Sequence, residues 1–106
     1  MSLSHYVAYT DTGTKASVNM DPSISPFNAT VGVTLSSTGN YKLQYSLDAP
    51  DTPDSSALWF DSVNIPSGTT ASAVTNLMFP VSRVRLVITS NGGTITLQTL
   101  QGITKN

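Results

Sequence analysis

The side chains able to do chemistry are few, and their spacing argues against a catalytic centre. His5 is the only histidine and there is no cysteine. Zinc and other transition metals draw on several His or Cys ligands, so neither such a site nor thiol chemistry is provided for. A serine hydrolase needs a nucleophile, a histidine and a carboxylate brought together. Fifteen serines share that single histidine near the N-terminus, and no G-x-S-x-G turn occurs. Gly13-Thr14-Lys15 lacks the upstream glycine of a phosphate-binding loop. Asp48, Asp51, Asp54 and Asp61 are ligands of the kind calcium takes, but their spacing matches no calcium loop, and Pro50 and Pro53 mark them as turn formers. Paired-carboxylate glycosidase chemistry asks for a deep cleft, for which 106 residues leave little room. The expectation is a non-enzyme that needs no cofactor and no metal.

Charge excludes further classes. The net charge is −1, with five scattered Lys and Arg, which is no footprint for nucleic acid, where phosphate neutralisation dominates binding. No segment approaches the ~20 apolar residues of a membrane span, and residues 1–20 contain no apolar run resembling a signal-peptide core. The expectation is a protein made in the cytoplasm, with neither nucleic acid nor membrane as a partner. Charged residues make up only 10% of the chain, against about 25% in an average soluble domain. A free β-protein usually guards its edges with charge, lysine especially. The shortage therefore points to a surface covered in an assembly.

The elements that must position these residues are strands. Glutamate is absent, Ser, Thr and Val abound, and the apolar residues alternate. Val31, Val33 and Leu35 fall on one face of a strand; Tyr41, Leu43, Tyr45 and Leu47 make the cleanest alternation in the chain. Val84, Leu86 and Ile88 alternate with Arg83 and Arg85, and after Ser90-Asn91-Gly92-Gly93 the pattern resumes with Ile95 and Leu97. Asn-Gly favours the positive φ of a tight turn, which predicts a C-terminal β-hairpin, and Ser37-Thr38-Gly39-Asn40 predicts a second hairpin upstream. Ala16, Val18 and Met20 predict a further strand face, Val63-Asn64-Ile65 a short strand, and Pro22 and Pro26 hold the segment around them to an edge. Ser4 to Thr10 reads equally as a first short strand or as part of an N-terminal arm, residues 1–14, laid on a partner, and Asp11-Thr12-Gly13-Thr14 reads as a turn. Ala49 to Ser56 is a long Pro/Asp/Ser loop. The fold class is all-β: a single domain spanning 1–106, an antiparallel β-sandwich, jelly-roll-like, or a small barrel.

One order of elements resembles a known group. Tyr41-x-Leu43-Gln44-Tyr45-Ser46-Leu47-Asp48, Ala57-x-Trp59-Phe60, Phe79-Pro80-Val81-x-x-Val84-Arg85-Leu86-x-Ile88-Thr89 and Gly93-x-Ile95-Thr96-Leu97-x-x-Leu100-Gln101-Gly102 look like the small β-rich structural proteins encoded in head-gene clusters of tailed bacteriophages. The resemblance covers residues 41–102. It implies a virion component on the capsid exterior, a decoration or cement protein whose partners are the major capsid protein and copies of itself, with a trimer favoured. The alternative within that class is a tail, head-tail or fibre component. From the residues alone, Trp59 with Phe60 and the four tyrosines also fits a carbohydrate-binding β-sandwich module.

For the assembly reading, the candidate interface residues are His5, Tyr6 and Tyr9 in the N-terminal segment, Asp51 and Asp54 in the long loop, Phe60, and Arg83 with Arg85 on the outward face of their strand. The two arginines have no evident acidic ladder, which leaves pairing with Asp48 or Asp61, or across an interface, where arginine is enriched.

Overall fold

Alternation of apolar and polar residues leaves each strand with one face to bury, and two sheets packed face to face satisfy all of them at once. The computed structural model describes residues 2–20, 28–49, 51–77 and 81–102. Among the described residues there are nine strands: β1 (Ser2–Tyr9), β2 (Gly13–Thr14), β3 (Val18–Asn19), β4 (Ala29–Leu35), β5 (Gly39–Ser46), β6 (Trp59–Asp61), β7 (Ala73–Leu77), β8 (Arg83–Asn91) and β9 (Ile95–Gly102). One sheet, here sheet A, has the order β1-β9-β4-β7; the other, sheet B, runs β2-β8-β5-β6, with β3 also on β8. All pairings are antiparallel. Counting β2 and β3 as one interrupted strand gives eight strands in jelly-roll order. The architecture is therefore a sandwich, not a closed barrel.

The core lies between the sheets. Ala29, Val31 and Val33 of β4, Leu77 of β7 and Ile95 with Leu97 of β9 face Tyr41 and Leu43 of β5 and Val84, Leu86 and Ile88 of β8, joined by Val18, Met20, Ile65 and Val81. The inward faces expected for β4, β8 and β9 are those observed. Of the expected inward residues, Leu35 and Tyr45 are partly buried against the core and two are exposed. Leu47 follows the last residue of β5 and is exposed, and Ala16 sits in the break between β2 and β3.

Both expected hairpins are absent. β4 lies in sheet A and β5 in sheet B, while β8 lies in sheet B and β9 in sheet A, so each connection crosses from one sheet to the other. Asn91-Gly92 does not form a hairpin turn, because positive φ occurs only at Gly13 and Gly68 among the described residues. The two glycines serve close approach instead. A Cβ on Gly92 would overlap the Thr38 side chain, and one on Gly93 would lie within 2.7 Å of Ser36 Oγ. The arches thus pack against each other: Gly92 N donates to Thr38 O (2.8 Å), Ser36 N to Thr94 O (3.0 Å) and Thr94 N to Ser36 Oγ (2.9 Å).

Residues 63–65 are not a strand. The edge strand is β6, four residues earlier, and the chain beyond it follows β5 irregularly, with Ser62 N donating to Leu43 O, Leu43 N to Ile65 O, and Thr69 bridged to Tyr41. The Pro22–Pro26 segment and Phe79-Pro80 lie outside the described residues.

Candidate functional site

The two outer faces of the sandwich are chemically unlike, and the contrast follows from which strands carry charge. On sheet B, β5, β6 and β8 present Lys42, Gln44, Ser46, Trp59, Asp61, Arg83 and Arg85 outward, by the parity opposite to their core residues. The loop between β5 and β6 folds back over this face, and Arg83 fixes it there. Its Nη1 donates to Thr52 O and to Asp54 Oδ1 (2.9 Å), and its Nη2 to Ala49 O (2.8 Å). Asp54 also accepts from Ser17 Oγ (2.8 Å) and Ser17 N (3.1 Å) in the break between β2 and β3. One carboxylate thereby ties three segments together.

Burial works to raise the Asp54 carboxyl, but the hydrogen bonds from Arg83 and Ser17 outweigh it and hold the group below the usual carboxylate range. Trp59 Nε1 donates to Asp54 O (3.0 Å), and the Arg85 guanidinium lies 4.0 Å over the indole ring. Arg85 Nε donates to Gln44 Oε1, and Gln44 Nε2 to Asp61 Oδ1, both at 2.9 Å; Lys42 Nζ is 3.4 Å from Asp61 Oδ1. The Gln44 hydrogen bond, then Lys42, lowers the Asp61 carboxyl. Asp48 accepts from Leu58 N and closes the loop's other end. Each of these groups is engaged within the chain, and among the described residues no three His, Cys, Asp or Glu side chains gather to hold a metal ion.

Sheet A is the opposite case. None of the described residues of β1, β4, β7 and β9 is Asp, Glu, Lys or Arg. The registers align its outward positions into rows: Tyr6, Gln98, Gly32 and Val74 form one, Leu100, Thr30 and Asn76 the next, and Ala8, Thr96 and Thr34 a third. Tyr6 and Val74 are each 69% exposed and Leu100 50%. Between them, over Gly32, runs a shallow groove of about 230 Å³ lined by Thr30, Gly32, Val74, Gln98 and Leu100. That is smaller and more open than the clefts that enclose small molecules.

The expected interface residues do not share one surface. His5 and Tyr6 lie on β1, with Tyr6 on the outer face of sheet A, whereas Tyr9 turns inward against the core with Lys15 Nζ 5.7 Å from its ring centre. Ser2–Tyr9 is an edge strand paired along its length with β9, the strand alternative for this segment. Asp51 is exposed in the loop, and Phe60 stacks on Tyr45 at 5.7 Å. Arg83, expected outward and open, is only 3% exposed, because the loop covers it; its acidic partner is Asp54, not Asp48 or Asp61. Arg85 is half-buried on Trp59, so one face of the indole is already occupied. Sequence reasoning missed the clasp of Arg83, Asp54 and Ser17, whose members are 29 and 37 residues apart. It also missed the uncharged outer face of sheet A, although the absence of charge in those strands was legible once they could be assigned to one sheet.

No family model matches this chain, and no curated protein does. Among solved structures, one described as "Bacillus endospore appendages form a novel family of disulfide-linked pili" superposes with a TM-score of 0.51, covering 99% of this chain and 88% of that one at 13% identity. At that identity the likeness is one of fold.

Proposed function

We propose that this chain is a non-enzymatic structural subunit that works packed against neighbours in a many-copy assembly, as a decoration protein on the exterior of a virion head. The observation that carries the reading is the division of charge between the two outer faces. A free sandwich keeps solubilising charge on both faces; here one face gathers it into an internal network and the other has none. The resemblance of residues 41–102 to phage head-cluster proteins supports the virion form, with the major capsid protein and further copies of this chain as its partners. A filament subunit is the second reading, favoured by the fold shared with a pilus protein. This chain has no cysteine, so disulfide linkage between its own copies is not open to it.

The test is to label particles from the producing culture with an antibody against the chain and count copies by electron microscopy and quantitative mass spectrometry. Hundreds of copies over a capsid surface are expected. Label running along filaments selects the second reading, and a chain recovered only as free monomer, bound to no particle, overturns both.

A further inference from the structure

We infer that the outer face of sheet A is a contact onto a second copy of this chain, the two A sheets stacking face to face about a two-fold axis. The inference rests on the structural-subunit reading and deepens it by naming the partner and the surface.

Charge selects the occupant. A partner that brought an ionised side chain onto this face would bury it with no opposite charge to meet it, which costs more than the contact returns. The partner surface must therefore be uncharged and must follow the twist of a β-sheet. The A face itself is such a surface. In a two-fold arrangement the same patch meets itself, so every requirement it makes of a partner it also fulfils. Gln98, Thr30, Thr34 and Thr96 offer both donors and acceptors, and so can satisfy one another across such an axis.

Relief agrees with charge. Val74 and Leu100 stand up beside the groove over Gly32, where the nearest atom to an added Cβ is Gln98 O at 4.0 Å. A two-fold axis near Gln98 sets the raised apolar side chains of one copy against the groove of the other, which is of a size to take one or two of them. The four strands, at about 4.8 Å spacing and ~3.4 Å per residue, outline roughly 450 Å² per copy. Two copies give about 900 Å² before side-chain relief is added, below the ~1,200 Å² at which stable specific interfaces begin and in the range of weak, transient ones. The contact is then weak and concentration-dependent, as suits a subunit held by several modest contacts at once. The order of layers becomes B-A-A-B, with the uncharged faces inside and the charged networks in water.

The experiment is sedimentation equilibrium of the whole chain from 10 to 500 μM, with the double variant Val74→Lys/Leu100→Lys and, as control, Val63→Lys on a fully solvated loop of sheet B. The expected result is a monomer–dimer equilibrium in the native protein and the control, with association weakened at least 30-fold in the double variant. A native chain monomeric at 500 μM overturns the inference, as does a dimer that survives the double variant or is lost equally in the control. Should the double variant fail to fold, Gln98→Cys in this cysteine-free chain gives an independent readout. Mild oxidation should then link two copies within minutes, while Ser67→Cys stays monomeric; no difference between the two overturns the inference. A native chain that does not pair yet still labels particles defeats this contact while leaving the structural-subunit reading intact.

Discussion

Removing Asp54 should destabilise the protein more than removing Arg83, and removing Arg83 afterwards should give part of the loss back. The reason is where the two partners sit. The Arg83 side chain is 4% exposed and that of Asp54 35%, while in the loop Ala49 is exposed and Thr52 half-buried. Asp54→Ala leaves a buried cation without its counter-charge and also gives up two hydrogen bonds from Ser17. The bonds to Ser17 account for about 1 kcal/mol and the stranded guanidinium for about 1.5–2, well under the full buried-pair value because Asp54 is partly solvated. Arg83→Met removes the charge and keeps the apolar stem; the acceptors it abandons rehydrate, and the cost is about 1 kcal/mol. In the double variant the stranded charge is gone, so the total is about 2 kcal/mol, less than for Asp54→Ala alone, with a coupling of roughly 1.5–2 kcal/mol. Urea titrations followed by Trp59 fluorescence and far-UV circular dichroism measure all four corners of the cycle. A double variant less stable than Asp54→Ala, or a coupling below about 0.5 kcal/mol, refutes the clasp.

Three further outcomes follow from the same geometry. Asp54 and Asp61 have carboxyls held below their unfolded value, so their stabilisation is present above the ordinary carboxylate pKa and is lost as pH falls through the depressed folded values; the urea midpoint should drop below about pH 4, and less steeply in Asp54→Asn/Asp61→Asn. Burial pushes the Tyr41 phenol up to about 12, and burial with the neighbouring Asp11 raises that of Tyr9, so the unfolded chain releases these protons first and stability should fall above pH 10; Tyr41→Phe should reduce that slope, leaving the Tyr9 share, and cost about 1 kcal/mol at neutral pH through the lost bond to Ala71 O (2.7 Å), both read from urea midpoints. Gly32→Ala should stabilise by about 0.5 kcal/mol, since its Cβ meets open space in a strand, whereas Gly92→Ala should cost about 1–3 kcal/mol by forcing the two arches apart; thermal melts separate the two signs.

Period-two alternation told which residues of β4, β5, β8 and β9 face the core, because burial of one face leaves its mark on every second residue. It did not tell which strand pairs with which. Ser37-Thr38-Gly39-Asn40 and Ser90-Asn91-Gly92-Gly93 have the composition of hairpin turns, yet each spans the gap between sheets, and among the described strands β5 and β6 are the only successive pair bonded to each other across sheet positions. Turn composition reports that the chain reverses, not the plane in which it does so. Arg83 was misplaced for a related reason: strand parity puts it on the outer face correctly, but parity knows nothing of the loop that folds over it. The contrast between the two outer faces depends on the same missing information, since strands far apart in the chain have to be gathered into one sheet before their shared lack of charge means anything.

The position of β9 has a consequence for synthesis. It lies between β1 and β4, bonded to both, so the earliest strand of sheet A has the last as its only neighbour. On the ribosome, β1 must wait with an open flank for more than eighty residues until Ile95–Gly102 emerges, while sheet B can already close around β8 and β5. A nascent chain stopped before Ile95 would expose two uncharged strands with nothing between them, which makes the arrival of β9 the step at which sheet A either closes or pairs with its neighbours.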